Sequence, residues 1–246
     1  MRILVTRAEP DASQQAEELL ARGHQPIISP MLSVTLLDPE LDAGGNPAAL
    51  AVTSRNALKA LELYPPPEAL KTKPLFCVGP GTAQMARELG FAAVIAGDRN
   101  AAGLAGLIRK KLPVDGRPLI RLTGDTPSNA PQNLEQDLER AGYPVKSVSC
   151  YRITQADELT AEVKSAITEG VLDIVILMSP LTARTFQTCI RSAGLTIQSE
   201  KLRYVCLSQD IAGTLAGIPR KCIFIADKPN HASLLSILDH AVAELS

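Results

Sequence analysis

The sequence predicts an α/β protein made of two doubly wound parallel-sheet domains, and three observations lead to this prediction. Short apolar strand patterns alternate with helical patterns of about ten residues, which is typical of parallel sheets covered by helices on both faces. The same order of elements occurs twice along the chain. The 246 residues also fit two small domains better than one domain or three.

The chain opens with a β-α-β pattern. Residues 1–6 form an apolar strand, and apolar residues then recur at helical spacing over residues 11–22, with Asp11 placed as the helix cap and Gly23 as its end. Residues 25–30 predict the next strand. An extended run at 32–37 and a loop rich in proline, glycine and aspartate follow, and we interpret them as a first crossing between domains.

The next part of the chain repeats a strand, a polar turn and a helix. Strands are predicted at 50–53, 75–78, 93–95 and 119–122, and helices at 54–63, 82–89, 101–112 and 133–141, the last two with Asn100 and Asn133 at their starts. This part predicts one continuous domain, from about residue 36 to residue 150.

The second half repeats that order and also part of the sequence. Strands are predicted at 171–177, 204–207 and 222–225, each followed by a helix, and these helices end near residues 190, 215 and 243. Residues 96–104 resemble residues 226–234, and residues 3–7 resemble residues 119–123. The chain is therefore interpreted as an internal duplication.

The order of the repeats predicts how the chain crosses between domains. The unit that resembles the N-terminus closes the first copy, whereas no such unit closes the second copy, so residues 1–33 supply it. We therefore expect a discontinuous domain (1–33 plus 154–246), a continuous domain (36–150), both flavodoxin-like, and two extended linkers. The second linker carries Tyr151, which would face any cleft that the domains enclose. Alternatively, Tyr151 is a linker residue that packs on a domain edge.

Composition excludes several classes of function. A formal net charge of −1 argues against nucleic-acid binding by bulk electrostatics, and the basic run 109–111 ends a predicted helix, where a solvated face explains it. The sequence has neither a signal-peptide pattern nor an apolar run of ~18 residues, which predicts a soluble, non-membrane protein. The five cysteines show no C-x-x-C spacing, and the three histidines do not cluster near them. We therefore expect no disulfide framework and no metal site, and a reducing cytoplasm as the compartment.

The candidate ligand-binding residues lie in the turns that follow the predicted strands. In open parallel sheets, ligands bind at the carboxyl ends of the strands, where helix N-termini expose N–H groups. These turns are at 6–7, 53–56, 79–82, 123–125, 179–180 and 208–209. Helix capping explains any one of them, but six in two sets favour an edge that binds carboxylates or phosphates through backbone N–H groups.

Most catalytic motifs are absent from the sequence. Gly79 and Gly81 are followed by Gln84 where a dinucleotide-binding loop has its third glycine, so a nucleotide cofactor is disfavoured. The sequence also lacks a phosphate-binding loop, a serine-nucleophile elbow and a zinc-protease motif. An enzyme of this sequence would work without a cofactor or a metal, using polar turns and one phenol.

Several short motifs along the whole chain together resemble the uroporphyrinogen-III synthase family. They are residues 3–7, 53–57, 78–83, 150–152 and 179–180. The resemblance implies cofactor-free conversion of the linear tetrapyrrole hydroxymethylbilane to uroporphyrinogen III, with inversion of ring D and loss of water, by a cytoplasmic monomer. Tyr151 matches the family tyrosine proposed to assist departure of the hydroxyl.

The implied chemistry suits these residues. A pyrrole expels the hydroxyl by itself, so the protein needs only a positioned donor, and a tyrosine phenol is protonated at neutral pH. The turns would hold the substrate carboxylates, with help from Arg152. The expected substrate-binding residues are Arg7, Ser54, Arg55, Asn56, Gly79, Thr82, Gly124, Ser179 and Ser208.

One turn departs from the family pattern. Many relatives have glycine and threonine where this chain has Ser208-Gln209-Asp210-Ile211, so no binding role is transferred to Asp210 or Ile211. The competing hypothesis is a non-catalytic two-domain module that captures a small ligand without turnover.

Overall fold

The computed structural model describes residues 1–42, 45–97, 101–125 and 134–245. The chain divides into two compact units. The discontinuous unit consists of residues 1–33 and 154–246, and the continuous unit of residues 34–153. Asn100 and Asn133, which the sequence places at two helix starts, lie outside the described residues.

The strands alternate with helices along the chain. The strands are β1 (Arg2–Val5), β2 (Gln25–Ile28), β3 (Leu32–Leu36), β4 (Ala49–Val52), β5 (Pro74–Val78), β6 (Ala93–Gly97), β7 (Leu119–Gly124), β8 (Val145–Gln155), β9 (Ile174–Leu177), β10 (Arg203–Cys206) and β11 (Ile223–Ile225). The helices are α1 (Asp11–Ala21), α2 (Arg55–Leu63), α3 (Glu68–Lys71), α4 (Pro80–Glu88), α5 (Ala101–Lys111), α6 (Leu134–Arg140), α7 (Ala161–Thr168), α8 (Pro180–Ser192), α9 (Thr196–Ser199), α10 (Gln209–Ala212) and α11 (His231–Ala243).

The discontinuous unit contains a five-stranded parallel sheet in the order β11-β10-β9-β1-β2. Its central strands are buried on both faces, which explains their unbroken apolar sequences. Ile3 and Val5 of β1 pack with α1 and α11, whereas Leu4 between them packs with α7 and α8. Because successive side chains of β1 point to opposite faces of the sheet, this one strand contributes to two cores.

The continuous unit contains a six-stranded sheet in the order β3-β8-β7-β4-β5-β6, in which β4 to β8 run parallel. Leu50 and Val52 of β4 pack with α2 and α4, and Ala49 and Ala51 pack in the core of α5 and α6. The same two-sided burial therefore builds this unit.

The two sheets have the same spatial arrangement of strands. From one edge to the other, the strands of the discontinuous unit are β2-β1-β9-β10-β11, and the equivalent positions in the continuous unit are taken by β8-β7-β4-β5-β6. The discontinuous unit thus has the flavodoxin-like order 2-1-3-4-5, and the continuous unit has the same arrangement circularly permuted, because β7 and β8 come last in its chain. The predicted α/β fold class is confirmed. In each sheet the chain leaves in opposite directions from two neighbouring strands, β1 and β9 in one unit and β7 and β4 in the other.

Three local predictions were wrong. Asp11 does not cap α1, because Pro10 occupies the N-cap position and Asp11 is the first helical residue. Strand β9 begins at Ile174 rather than at residue 171, since Gly170 ends the unpredicted helix α7 with a positive φ of 68°. Helix α10 ends at Ala212, well before residue 215, and the Thr214 hydroxyl donates to the Ile211 carbonyl at 2.7 Å.

The longest helices do not reach the length of a membrane span. Within the described part of the chain, no helix is both long and apolar enough to cross a membrane.

Candidate active site at the carboxyl ends of the strands

The predicted binding residues of the continuous unit come from three neighbouring strand ends. Strand β4 lies between β5 and β7, and Val52 near its end is in register with Cys77 and Leu122. The turns after these strands therefore share one edge of the sheet. That edge brings together Ser54, Arg55, Asn56, Gly79, Thr82 and Gly124.

The start of α2 combines a helix N-terminus with a free cation. The Ser54 hydroxyl caps the helix by accepting a hydrogen bond from the Asn56 N–H at 3.2 Å. The Arg55 side chain is exposed, and no carboxylate in the described chain pairs with it. The helix dipole and a guanidinium that is unpaired in the described chain therefore both belong to the start of α2, which favours an anionic ligand.

The start of α4 presents a hydroxyl group. Gly79 adopts a positive φ of 76°, which sends the chain from β5 into the helix, and Pro80 occupies the first helical position. The Thr82 side chain is only 8% exposed, and its hydroxyl makes no hydrogen bond to any described residue. This hydroxyl therefore has hydrogen-bonding capacity that the described part of the chain does not use.

Tyr151 lies within the continuous unit and not on a free linker. It belongs to β8, sits opposite Gly124 of β7, and is 9% exposed. Its ring belongs to the apolar cluster that α2 and α4 form with the sheet. Gly124 therefore lies at the end of β7, next to the change of direction between β7 and β4 where this fold binds ligands, and Tyr151 lies beside it on the neighbouring strand β8.

Asp125 follows Gly124 and was not among the predicted site residues. Its carboxylate accepts hydrogen bonds from Arg152 at 2.8 Å from Nε and 2.5 Å from Nη2. Since Arg152 is 57% exposed, this ion pair stands at the surface beside Tyr151. The sequence placed Asp125 in the predicted turn at 123–125, but only the pairing of β7 with β8 shows that Arg152 is its partner.

The discontinuous unit places its three predicted residues on the equivalent strand ends. Ser208, Ser179 and Arg7 follow β10, β9 and β1, which are neighbours in the sheet. The buried Thr6 hydroxyl donates to the Ile176 carbonyl at 2.6 Å and joins the ends of β1 and β9. The three residues therefore share one edge, as in the continuous unit.

The side chains on this second edge are already partly engaged. The Arg7 guanidinium pairs with the Asp11 carboxylate. The Ser179 hydroxyl accepts from the Thr182 N–H at 3.1 Å and lies 2.8 Å from the Thr182 hydroxyl. Ser208 makes no side-chain cap bond to α10. Of these three residues, Ser208 is thus the one whose side chain makes no hydrogen bond within the described part of the chain, and the unusual Asp210 lies two positions after it.

Comparison with known proteins identifies the family. The model of the family described as Uroporphyrinogen-III synthase HemD matches residues 13–236. The chain belongs to the uroporphyrinogen-III synthase family. Its role is therefore in tetrapyrrole biosynthesis, and the predicted resemblance is confirmed. A search of curated proteins found no match to this sequence.

Solved structures of uroporphyrinogen-III synthases share this fold. A mutant enzyme from Thermus thermophilus has a TM-score of 0.65 at 16% identity, with 99% of each chain covered. The Helicobacter pylori enzyme has a TM-score of 0.64 at 19% identity, with 97% of this chain and 98% of that chain covered. The family consists of enzymes whose substrate is a tetrapyrrole, a small molecule.

Buried thiols near the strand ends are protonated at neutral pH. Burial raises the pKa of Cys150 to about 11 and that of Cys77 and Cys206 to about 12. None of the three is a thiolate nucleophile under physiological conditions. Among the described residues, no three His, Cys, Asp or Glu side chains are placed to hold a metal ion.

Proposed function

We propose that this member of the uroporphyrinogen-III synthase family cyclises hydroxymethylbilane to uroporphyrinogen III, with inversion of ring D and loss of water, and is a hydro-lyase. The observation that carries the proposal is the position of Tyr151 beside the end of β7, on the edge of the sheet that also carries the helix start of α2. A proton donor and an anion-binding helix start on one edge suit a substrate that carries carboxylates and loses a hydroxyl.

Each unit, taken by itself, offers donors for substrate carboxylates at its strand-end turns. In the continuous unit, Arg55, the first N–H groups of α2 and the free Thr82 hydroxyl supply donors. In the discontinuous unit, the N-terminus of α8 and the Ser208 hydroxyl supply them, and Arg7 does so by exchanging the Asp11 carboxylate for a substrate carboxylate. A chain of net charge −1 binds a polyanion in this way by local groups alone.

Tyr151 assists the departure of the hydroxyl. The terminal pyrrole nitrogen supplies the electron pair that breaks the carbon–oxygen bond, and the phenol transfers its proton to the leaving oxygen, which departs as water. The resulting electrophilic carbon is attacked by the substituted carbon of ring D. The later rearrangement and proton loss complete inversion of ring D, and the bound geometry selects this path over direct closure.

No protein nucleophile, metal or cofactor is part of this mechanism. The protonated state of the neighbouring Cys150 thiol supports a step without covalent attachment to the protein. We further propose that the enzyme acts as a cytoplasmic monomer without nucleic-acid or membrane partners. The five free, buried cysteines support a reducing compartment.

The experiment that tests the function follows the isomer that is formed. Purified protein is mixed with freshly prepared hydroxymethylbilane, and the type I and type III products are oxidised and separated, with a protein-free sample as the control. We expect type III to predominate and to form faster than type I does in the control. Type I alone, at the protein-free rate, would contradict the proposal, and tight binding without turnover would favour the competing ligand-binding module.

A further inference from the structure

A β-bulge turns Tyr151 toward the cluster of α2 and α4. Thr123 of β7 is in register with Ser149, but the next residue, Gly124, is in register with Tyr151, so Cys150 is an extra residue in β8. Consecutive residues of a regular strand point to opposite faces of the sheet. Cys150 and Tyr151 nevertheless pack in the same apolar cluster. The bulge therefore decides which face of the sheet carries the phenol.

Gly124 provides the space that the ring occupies. A Cβ atom built on Gly124 would lie 2.9 Å from Cε2 and 3.0 Å from Cζ of Tyr151, closer than side-chain contacts normally allow. Gly124 does not have a positive φ, so its backbone conformation does not itself require glycine. Since Cζ bears the hydroxyl, any side chain at this position displaces the end of the ring that would do the chemistry.

Asp125 makes two contacts to β8, one to Tyr151 itself and one to the residue that follows it. Its N–H donates a 2.7 Å hydrogen bond to the Tyr151 carbonyl. Its carboxylate accepts from the Arg152 side chain, one residue further along β8. The backbone bond and the ion pair together fix the bulged segment to the end of β7, where the regular strand pairing stops.

We propose that Gly124 and Asp125 are positioning residues that hold the Tyr151 phenol at the point where the substrate hydroxyl leaves. The inference rests on the proposed role of Tyr151. Gly124 acts by lacking a side chain, and Asp125 acts through its backbone N–H and its ion pair. Gly124 thereby gains a role in addition to the substrate contact predicted from the sequence.

The test combines kinetics with a direct measurement of the ring. Gly124→Ala, Tyr151→Phe and the double variant are compared with the parent enzyme for kcat and KM of type III formation. The full-length proteins are also labelled with 3-fluorotyrosine, and the Tyr151 resonance, one of four, is assigned by its loss in Tyr151→Phe. Gly106→Ala is the matched control, because a Cβ atom there meets nothing within 4 Å.

The expected result is a coupled loss of activity. Gly124→Ala shifts the Tyr151 resonance and lowers kcat about tenfold or more with KM within about twofold, whereas Gly106→Ala changes neither. In the Tyr151→Phe background, Gly124→Ala causes no further loss, because the hydroxyl that it displaces is already absent. Losses that multiply in the double variant would overturn the inference, since Gly124 would then act independently of the hydroxyl.

Other outcomes separate this inference from the proposed mechanism. An unshifted Tyr151 resonance in Gly124→Ala overturns the positioning role whatever the kinetics show. If the resonance shifts in Gly124→Ala but Tyr151→Phe keeps full activity, the catalytic role of Tyr151 is overturned, and with it the purpose of the positioning. Type III formation by the parent would still support the proposed function.

Asp125→Ala provides a second route if Gly124→Ala does not fold. It removes only a surface ion pair, which costs little stability. We expect a broadened or shifted Tyr151 resonance and a severalfold lower kcat. In the Tyr151→Phe background, Asp125→Ala should no longer lower kcat. An unchanged resonance and an unchanged kcat would overturn the role of the Asp125 carboxylate.

Discussion

The two units share a strand order but differ at the strand that flanks the change of direction. After β1, the discontinuous unit places Arg7, whose charge is shared with Asp11. After β7, the continuous unit places Gly124 and Asp125, which border Tyr151. The comparison shows how one duplicated framework can be specialised by a few residues after equivalent strands. We infer that both units bind substrate and that the continuous unit also carries the chemistry.

The units also differ in the state of their arginines. Arg55 stands at a helix N-terminus without a carboxylate partner in the described chain, whereas Arg7 must leave Asp11 before it binds a substrate carboxylate. A charge that is already paired contributes less to binding, because breaking the existing pair offsets part of the gain. This difference predicts an unequal contribution of the two arginines to affinity.

The largest predicted effect separates a catalytic tyrosine from a structural one in the same unit. Tyr151→Phe should lower kcat on the order of 100-fold and leave thermal stability almost unchanged, because the ring remains and the hydroxyl makes no bond to a described residue. Tyr143→Phe is the control: its hydroxyl donates to the Leu112 carbonyl at 2.6 Å, so its loss should cost about 1 kcal/mol of stability and no activity.

Steady-state kinetics and thermal melts of both variants check this prediction. If Tyr143→Phe lowers kcat as much as Tyr151→Phe does, the loss reflects general damage to the continuous unit. Equal turnover of Tyr151→Phe and the parent would reduce Tyr151 to a packing residue.

The next effect concerns the arginines of the two edges. Arg55→Ala should raise KM about tenfold, since a charged hydrogen bond is worth about 1.5–3 kcal/mol. Arg7→Ala should raise KM only about threefold, and Asp11→Asn should lower KM by freeing Arg7. KM values for type III formation at constant ionic strength measure these changes. Equal effects of Arg55→Ala and Arg7→Ala would contradict the proposed difference between the edges.

Alkaline pH should destabilise the protein through its buried thiols. From pH 9, the ordinary pKa of a thiol, up to about 11, unfolded Cys150 loses its proton while folded Cys150 keeps it, so stability falls as pH rises. The loss from Cys150 alone should reach on the order of 2 kcal/mol at pH 11. Denaturant titrations of the parent and of Cys150→Ala isolate this contribution. Parallel pH profiles of the two proteins would refute it.

The smallest predicted effect distinguishes helix caps from a free hydroxyl. Ser54→Ala and Ser179→Ala should each cost about 1 kcal/mol of unfolding free energy, because each serine caps a helix. Ser208→Ala should change stability by less than about 0.5 kcal/mol, since Ser208 makes no cap bond. Urea denaturation gives all three values. A cost at Ser208 equal to that at Ser54 would show a structural role instead of a free side chain.

The sequence predicts the architecture well because repetition and strand patterns are local signals. Alternating strands and helices predict the parallel sheets, and turns after strands predict which residues share an edge. Helix α7 escaped prediction because its 8 residues span little more than two turns, and Asp11 was misplaced because proline and aspartate both suit a helix start.

The arrangement around Tyr151 could not be predicted from the sequence. The bulge at Cys150 depends on the pairing of β7 with β8, which no local pattern encodes. Gly124 leaves space for the ring of Tyr151, and Asp125 pairs with Arg152; in each case the two residues are 27 positions apart in the sequence. The sequence shows that a glycine and an acid follow β7, whereas only the strand register shows that they border the phenol.

The most direct test of the central claim is the isomer composition that Tyr151→Phe produces at low enzyme concentration, measured beside the parent enzyme. If the phenol of the continuous unit drives departure of the hydroxyl, the variant should lose the competition with spontaneous closure. We therefore predict mainly type I product from Tyr151→Phe and mainly type III from the parent at the same concentration. Type III as the main product of the variant, formed at the rate of the parent, would contradict the account.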